Sequence, residues 1–374
     1  MPTNVDKSRD IEPVSLLIGG KIHNAWTSYN VTSDLLTPAS AWDVRLGLPQ
    51  GEMPPVVHPG ARVSVRVGAD TVMTGYVDQD DHELEKHHTL RMNGRDGAAL
   101  LVDCSAPIFS ARDMSLLDIV ATIVKPLGIS KVRVDSLAGA TEKVAIEPGD
   151  SAWDALEKSA EANGLWPWFA PDGTLIVGGP DYKAAPVASL ILRRDGKGNN
   201  VSRLSVKRSI AKRYSEVTVL GQAHGTETVE AAHALKSVMH DADVPLYRPK
   251  IVVESDAPNS QACQRIAKKL LADGRLDGLT ISAQVRGHRT SNGILWMPGQ
   301  RVHVFSEPHN LNGIYFLMAR TMSGGRGAPS ITTLTLKEDG VWIPEKILPK
   351  RNGAKGSSGI GSRGFSPQEL GTRK

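Results

Sequence analysis

The chain has 374 residues, 44 Lys and Arg against 40 Asp and Glu, and 40% hydrophobic residues. That length exceeds a single core and predicts two to four domains, and no apolar run approaches the ~20 residues of a membrane-spanning helix, so stable membrane insertion is not expected. The net charge of +4 hides an asymmetry: residues 346–374 hold seven Lys or Arg and one Glu, so they carry +6 and the remainder about −2, which excludes a basic nucleic-acid-binding body.

Residues 1 to about 10 read as a flexible start, and MPTNVDKSRDIEP has acids and no apolar core, so no secretion signal is expected. Val14–Ile18 reads as a strand, Gly19-Gly20 as a turn, and Trp26–Val31 as a segment pairing back on that strand. Ala41–Leu46 alternates as a strand does. A Pro-rich loop from Gly51 to Pro59 leads into a meander from Arg62 to Met92, with Asp78-Gln79-Asp80-Asp81 as a solvated turn. Gly94-Arg95-Asp96-Gly97 closes it, and Leu100 to Ser105 stays open between strand and coil.

The period then changes. Ser115 with Asp118, and Ser151 with Asp154, have the spacing of a capping box at a helix start. Leu117, Val120, Ala121 and Val124 recur at helical spacing, and Trp153, Leu156 and Ala160 do the same in the second helix. Lys131–Val134 reads as a short strand between them. Trp166–Phe169 and Thr174–Val177 flank the Pro171-Asp172-Gly173 turn and predict a hairpin, and Trp166, Trp168 and Phe169 are expected to pack rather than bind. Strands return at Ser189–Leu192, Val201–Val206 and Ser215–Leu220. Residues 221–247 show no firm period. A third helix opens at Ser260 and is expected to end at Gly274. Leu279–Val285 is another strand, and a second meander runs from Pro298 to Leu336.

The two meanders share a grammar. Pro59-Gly60-Ala61-Arg62-Val63-Ser64-Val65 parallels Pro298-Gly299-Gln300-Arg301-Val302-His303-Val304, and Gly75 and Gly313 follow at similar distances. This predicts a duplicated β module. Residues 351–374 have six glycines and little to bury, so they are expected to be ordered only by a partner, if at all.

The chemistry search finds no catalytic, cofactor-binding or metal position. There is no HExxH helix, GxSxG elbow or phosphate loop, and Gly19-Gly20-Lys21 is too short for one. His82, His87 and His88 read as a solvated hairpin, and His303 and His309 lack clustered acidic or Cys partners. Glu147 with Asp150 or Asp154 is the one conceivable carboxylate pair for a glycan-degrading enzyme, but Asp154 is better used as a cap. Arg203, Lys207, Arg208, Lys212 and Arg213 form the densest basic region, with only Tyr214 near for stacking. Cys104 and Cys263 read as free thiols in apolar patterns.

Several segments, in order along the chain, carry a family resemblance. They are Gly94-Arg95-Asp96 with Leu101-Val102-Asp103-Cys104-Ser105, Asn163-Gly164-Leu165 with Pro171-Asp172-Gly173-Thr174-Leu175, Asn259-Ser260-Gln261-Ala262-Cys263, and Gly293-Ile294-Leu295-Trp296-Met297-Pro298-Gly299. The chain resembles the baseplate hub proteins of Mu-like contractile-tailed phages, within the phage hub and late-control-D group that includes the N-terminal part of type VI secretion spike proteins. The resemblance implies a mainly β fold with α/β insertions, in which two similar antiparallel β-barrel modules accompany smaller α+β domains. The divisions expected are 1–107 and 251–345 for the modules, 108–185 for an α/β insertion, 186–250 for a β segment and excursion, and 346–374 for a flexible basic tail. It also implies a homotrimer that joins a hexameric tail tube to a trimeric tail spike among surrounding baseplate proteins, with DNA passing through without specific binding. Such a part is assembled in the host cytoplasm and ends in the virion. A hub of a non-contractile tail, a secretion-spike component and a cell-wall glycan-degrading tail enzyme are the alternatives.

Overall fold

The structure is a computed structural model and describes residues 12, 14–48, 57–84, 88–109, 114–135, 146, 149–221, 235–254 and 259–342. The expected flexible start, most of the Pro-rich loop, His87, Glu147, much of 221–247 and the whole 346–374 tail lie outside them.

The chain opens with strands β1 (Val14–Ile18), β2 (Lys21–His23), β3 (Ser28–Asp34), β4 (Ala41–Leu48), β5 (Arg62–Val67), β6 (Asp70–Leu84) and β7 (His88–Asp96). Helices α1 (Ala98–Asp103) and α2 (Leu116–Val124) follow, then β8 (Val132–Val134), α3 (Ala152–Glu161), β9 (Trp166–Phe169) and β10 (Leu175–Gly178). The chain returns to strands with β11 (Ser189–Leu192), β12 (Arg203–Arg208), β13 (Glu216–Gly221), β14 (Leu235–His240) and β15 (Pro249–Glu254). The long helix α4 (Ser260–Gly278) leads into β16 (Leu279–Arg286), β17 (Arg301–Ser306), β18 (Leu311–Gly325) and β19 (Ala328–Glu338).

Thirteen of these strands form one sheet in the order β12-β16-β19-β18-β3-β4-β7-β6-β5-β1-β2, with β17 beside β18 and β11 beside β17. The first half runs β3-β4-β7-β6-β5-β1 and the second β12-β16-β19-β18-β17-β11, so one strand order occurs twice. Both halves also carry a bulge at the same place in their long strand, between Val77 and Gln79 in β6 and between Leu317 and Ala319 in β18. Alternate residues of these strands turn inward, and each half has its own core: Leu16, Trp42, Val63, Val65 and Met92 in the first, Leu190, Ile281, Val302, Val304 and Leu334 in the second.

The expectation of two closed antiparallel barrels is overturned. The large sheet is an open path that ends at β12 and β2. A barrel closes only if the outer strands of one half pair with each other. Instead, β3 of the first half pairs with residues 319–324 of β18 in the second, and β12 pairs only with β16 among the described residues. Nor is the order wholly antiparallel, since β11 runs parallel to β17. Trp26–Val31 does not pair back on β1 as expected; β2 takes that place, and Ser28–Thr32 pairs with β4.

The insertion after β7 folds as α1, α2 and α3 against the three-stranded sheet β8-β10-β9, around Ile119, Ile123, Trp153, Leu156 and Leu175. Both capping boxes form: the amides of Asp118 and Asp154 donate to the Ser115 and Ser151 hydroxyls at 3.1 and 3.0 Å. Leu100–Asp103 is helical, because Leu101 is buried under α3 as the chain leaves the sheet. A second three-stranded sheet, β14-β13-β15, packs Val217 and Val219 against Ala262, Cys263 and Ala267 of α4. The third helix opens at Ser260 as expected, and Asn259 caps it by accepting from the Ala262 amide at 2.9 Å. The helix also runs through Gly274 to Gly278, because Gly274 is a close-packing residue and not a stop: a Cβ there would lie 2.7 Å from the Lys212 carbonyl. Cys104 and Cys263 are both free thiols.

Candidate functional site at the junction of the two sheet halves

The segments that carry the family resemblance serve turns, caps and contacts between units. Gly94 lies where β7 crosses β4 and β6, and a Cβ would sit 2.0 Å from the Tyr76 carbonyl and 2.7 Å from the Trp42 ring. Arg95 donates through Nε to Asp78 at 2.6 Å and through both terminal nitrogens to Asp103 at 3.1 and 2.6 Å. Asp78 is the residue that the β6 bulge inserts, so the bulge supplies one carboxylate and α1 the other. The hydrogen bonds that Arg95 donates to Asp103, then the one to Asp78, hold its guanidinium above its ordinary range.

Asp96 is buried and ties three segments together. Its carboxylate accepts from the Ser40 amide at 3.1 Å and the Ala98 amide at 3.0 Å, joining the β3–β4 loop to the start of α1. Burial outweighs these bonds and pushes its pKa up to about 6. In the insertion hairpin, Asp172 accepts from the amide and hydroxyl of Thr174 at 3.0 and 2.9 Å, fixing the turn. The preceding Pro171 carbonyl accepts from the Thr74 hydroxyl of β6 at 2.8 Å, which docks the insertion on the first half.

The junction itself is the pairing of β3 with β18, from Asp34 opposite Ala319 to Tyr29 opposite Gly324. It needs small residues. A Cβ on Gly325 would lie 2.2 Å from the Thr27 carbonyl, and one on Gly324 would meet the Tyr29 hydroxyl at 2.4 Å. Arg320, only 1% exposed, points into this seam and donates to the carbonyls of Trp296 and Val72. The register of β5 with β6 skips Val72, so a second bulge frees that carbonyl for the guanidinium. Arg320 has no carboxylate partner among the described residues, and burial lowers its pKa to about 10. With Ser33, Asp34, Met73, Asp96 and Trp168 it lines a cavity of about 170 Å³ between the halves and the insertion.

A second buried network locks the Tyr29 end of the seam. The Thr332 hydroxyl gives its one proton to the Gly287 carbonyl at 2.7 Å, so it accepts from His288 Nδ1 at 2.8 Å. His288 Nε2 then accepts from the Tyr29 hydroxyl of β3 at 2.8 Å, and Ser330 donates to Tyr29 at 3.1 Å. Burial, then the charge of Arg320, lowers the His288 pKa to about 4, so the ring is neutral near pH 7. Next to it, Arg289 spans the halves through Glu12 at 2.6 Å, Asp70 at 2.8 Å and the Val67 carbonyl at 3.3 Å.

The residues considered for chemistry do not converge. His82 lies 3.2 Å from Asp80, His303 bonds Asn312, and His309 bonds Ser306. Asp150 accepts from Lys158, and Asp154 is the capping partner of Ser151 at the start of α3. Trp166 donates to the Leu35 carbonyl at 2.6 Å and stacks edge-on with Trp342, while Phe169 packs on the insertion core. No cluster of three or more His, Cys, Asp or Glu able to hold a metal occurs among the described residues. Of the basic region, Lys212 pairs with Asp277 and Arg213 with Asp241, whereas Arg203, Lys207 and Arg208 are exposed on β12 with no ion pair among the described residues. Sequence reasoning missed Arg320, His288 and Tyr29, whose partners lie 24 to 301 residues away.

Comparison with known proteins agrees with a part built of junctions. Residues 13–96 match the Mu phage baseplate assembly protein GpP-like N-terminal family, and residues 98–179 the second domain of baseplate hub protein gp44-like proteins. Residues 213–271 match the third domain of tail protein NMB1110-like proteins, and 273–341 a tail protein C-terminal domain. The baseplate hub protein gp44 of Escherichia phage Mu is 24% identical over 366 residues, covering 93% of this chain and 94% of gp44. The crystal structure of the tail protein from Neisseria meningitidis MC58 is similar with a TM-score of 0.79 and 39% identity, over 89% of this chain and 98% of that one. The 43 kDa tail protein of prophage MuSo2 from Shewanella oneidensis has the same fold, with a TM-score of 0.77 and 22% identity over 88% of this chain and 100% of that one. The chain therefore belongs to the Mu-like phage baseplate hub and tail protein family, and it is a structural, non-enzymatic hub component of the virion's tail baseplate in a Mu-like contractile-tailed phage.

Proposed function

We propose that three copies of this chain close into a ring that takes the hexameric tail tube on one side and the trimeric tail spike on the other, with other baseplate proteins around it. The observation that carries this reading is the strand order that occurs twice in one continuous sheet, bulges included. Three copies of such a chain offer six like units, and that number matches a sixfold tube to a threefold spike. The ring nucleates tail assembly and surrounds the channel through which DNA passes without specific binding. No residue has a catalytic, cofactor-binding or metal-binding role in it. The division keeps 1–107 and 251–345 as the repeated units, 108–185 as an insertion between them, 186–250 as a segment that gives β11 and β12 to the second unit and an excursion beside it, and 346–374 as a tail that touches the spike.

Sedimentation velocity tests the ring. A trimer at micromolar concentration is the expected result, and a monomer that stays monomeric with purified tube protein present overturns it. Deleting residues 351–374 leaves the trimer unchanged and weakens spike retention. Full retention after the deletion removes the tail from the spike contact.

A further inference from the structure

Among the sheet edges with no partner strand among the described residues are the outer edge of β12 and the edge of β6 beyond its bulge, where β5 has already ended. Such edges carry unpaired amides and carbonyls and invite a further strand. The internal repeat says which strand fits. Asn30 of β3 pairs with Asp43, Asp43 with Asn93, and Asn93 with Gln79. Ser205 of β12 pairs with Ser282, Ser282 with Thr335, and Thr335 with Ala319. Hence β12 occupies in the second half the place of β3 in the first, and Gln79 occupies in β6 the place of Ala319 in β18. Within the chain, β3 fills the edge of β18 beyond its bulge. Among the described residues the matching edge on β6 has no partner strand, and β12, the strand equivalent to β3, pairs on one side only.

We infer that β12 of one copy adds in antiparallel fashion to residues 79–83 of β6 in a second copy, repeating between chains the β3–β18 pairing seen within one. This rests on the ring reading above. Carrying over the β3–β18 register sets Arg208 opposite Asp80, Lys207 opposite Asp81, Val206 opposite His82 and Ser205 opposite Glu83. The charges match: the strand Arg-Leu-Ser-Val-Lys-Arg is basic, and Asp80, Asp81 and Glu83 are acidic. Opposite charges directly across an antiparallel pair stabilise it, and like charges destabilise it. Two β12 edges would set cation against cation, and two β6 edges acid against acid. Only the head-to-tail pair is favourable, and head-to-tail contacts close into rings rather than twofold dimers. The partner is another molecule, because six strands (β16, β19, β18, β3, β4 and β7) separate β12 from β6 in the chain's own sheet.

Cross-linking reads the register directly. Thr32 and Thr321, the internal counterparts of Lys207 and Asp81, face each other with hydroxyl oxygens 3.5 Å apart. A chain carrying Lys207→Cys and Asp81→Cys is therefore expected to oxidise to a closed covalent trimer. Either single variant should stay uncross-linked, and an equimolar mixture of the two should give covalent dimers. In parallel, Lys207→Glu with Arg208→Glu should weaken self-association about a hundredfold, and adding Asp80→Lys with Asp81→Lys to the same chain should restore it. Far-UV circular dichroism confirms that each variant is folded. A native trimer that neither cross-links at these positions nor responds to charge reversal overturns the strand pairing and leaves the ring standing. A wild-type chain that is monomeric alone and with tube protein overturns both.

Discussion

The long strands β6 and β18 begin alike and end differently. Each pairs with a short neighbour, then bulges, then runs on: Gln79-Asp80-Asp81-His82-Glu83 in β6 and Ala319-Arg320-Thr321-Met322-Ser323 in β18. Where the chain supplies its own partner, the strand is apolar, small or hydroxylated, with one cation sunk into backbone carbonyls. Where the described residues supply none, the strand is acidic. A permanently covered edge is selected for close packing, and a bare one is protected by charge from pairing with any passing strand. The same repeat thus holds a finished junction and an unfinished one.

Substitutions in the finished junction should cost most. Gly325→Val forces a branched side chain into the Thr27 carbonyl and is expected to lower stability by about 4 kcal/mol in urea unfolding. Asp81→Val on the open edge should change it by about 0.5 kcal/mol or less; equal effects would break the comparison. Arg320→Ala comes next, at about 3 kcal/mol, since it leaves a cavity and two buried carbonyls without donors.

Acid sharpens the picture through two buried groups of opposite sign. His288, lowered from 6.5 to about 4, contributes stability that is present above pH 6.5 and lost as pH falls towards 4. Asp96, raised from 3.8 to about 6, acts the other way: its contribution is present below pH 3.8 and lost as pH rises through 6. Between pH 4.5 and 6 the two largely offset. Asp96→Asn should therefore make the protein lose about 2 kcal/mol more than wild type between pH 6.5 and 4.5, measured by unfolding at both. An unchanged pH dependence would show that Asp96 is not coupled to folding in this way. Outside the seam the effect is smaller than at its glycines and Arg320: Asn259→Ala should cost about 1 kcal/mol, through loss of the α4 cap.

Much of the local structure was legible in the residues. The capping boxes at Ser115 and Ser151, the Pro171-Asp172-Gly173 turn and the PG-led meanders all formed, because each is written within a few neighbouring residues. Gly274 misled, since a glycine that stops a helix and one that lets another backbone approach look the same in a sequence. The candidate site was legible only in fragments. Gly94-Arg95-Asp96 could be quoted as a motif, but nothing local says that Arg95 would reach both Asp78 and Asp103.

A mainly β chain with helical insertions, a β pattern that occurs twice and the family resemblance are all written in the residues alone. Alternation, turns and caps are short-range, and they survive without knowledge of the rest of the chain. That the repeats do not close into barrels emerges only in the folded chain. That choice depends on which distant strand wins the open edge of β18, and β3 wins it with Tyr29, His288 and Arg320 buried along the seam. The pairing joins residues nearly 300 positions apart, so no local pattern encodes it, and it leaves β12 and the end of β6 as the edges still to be filled.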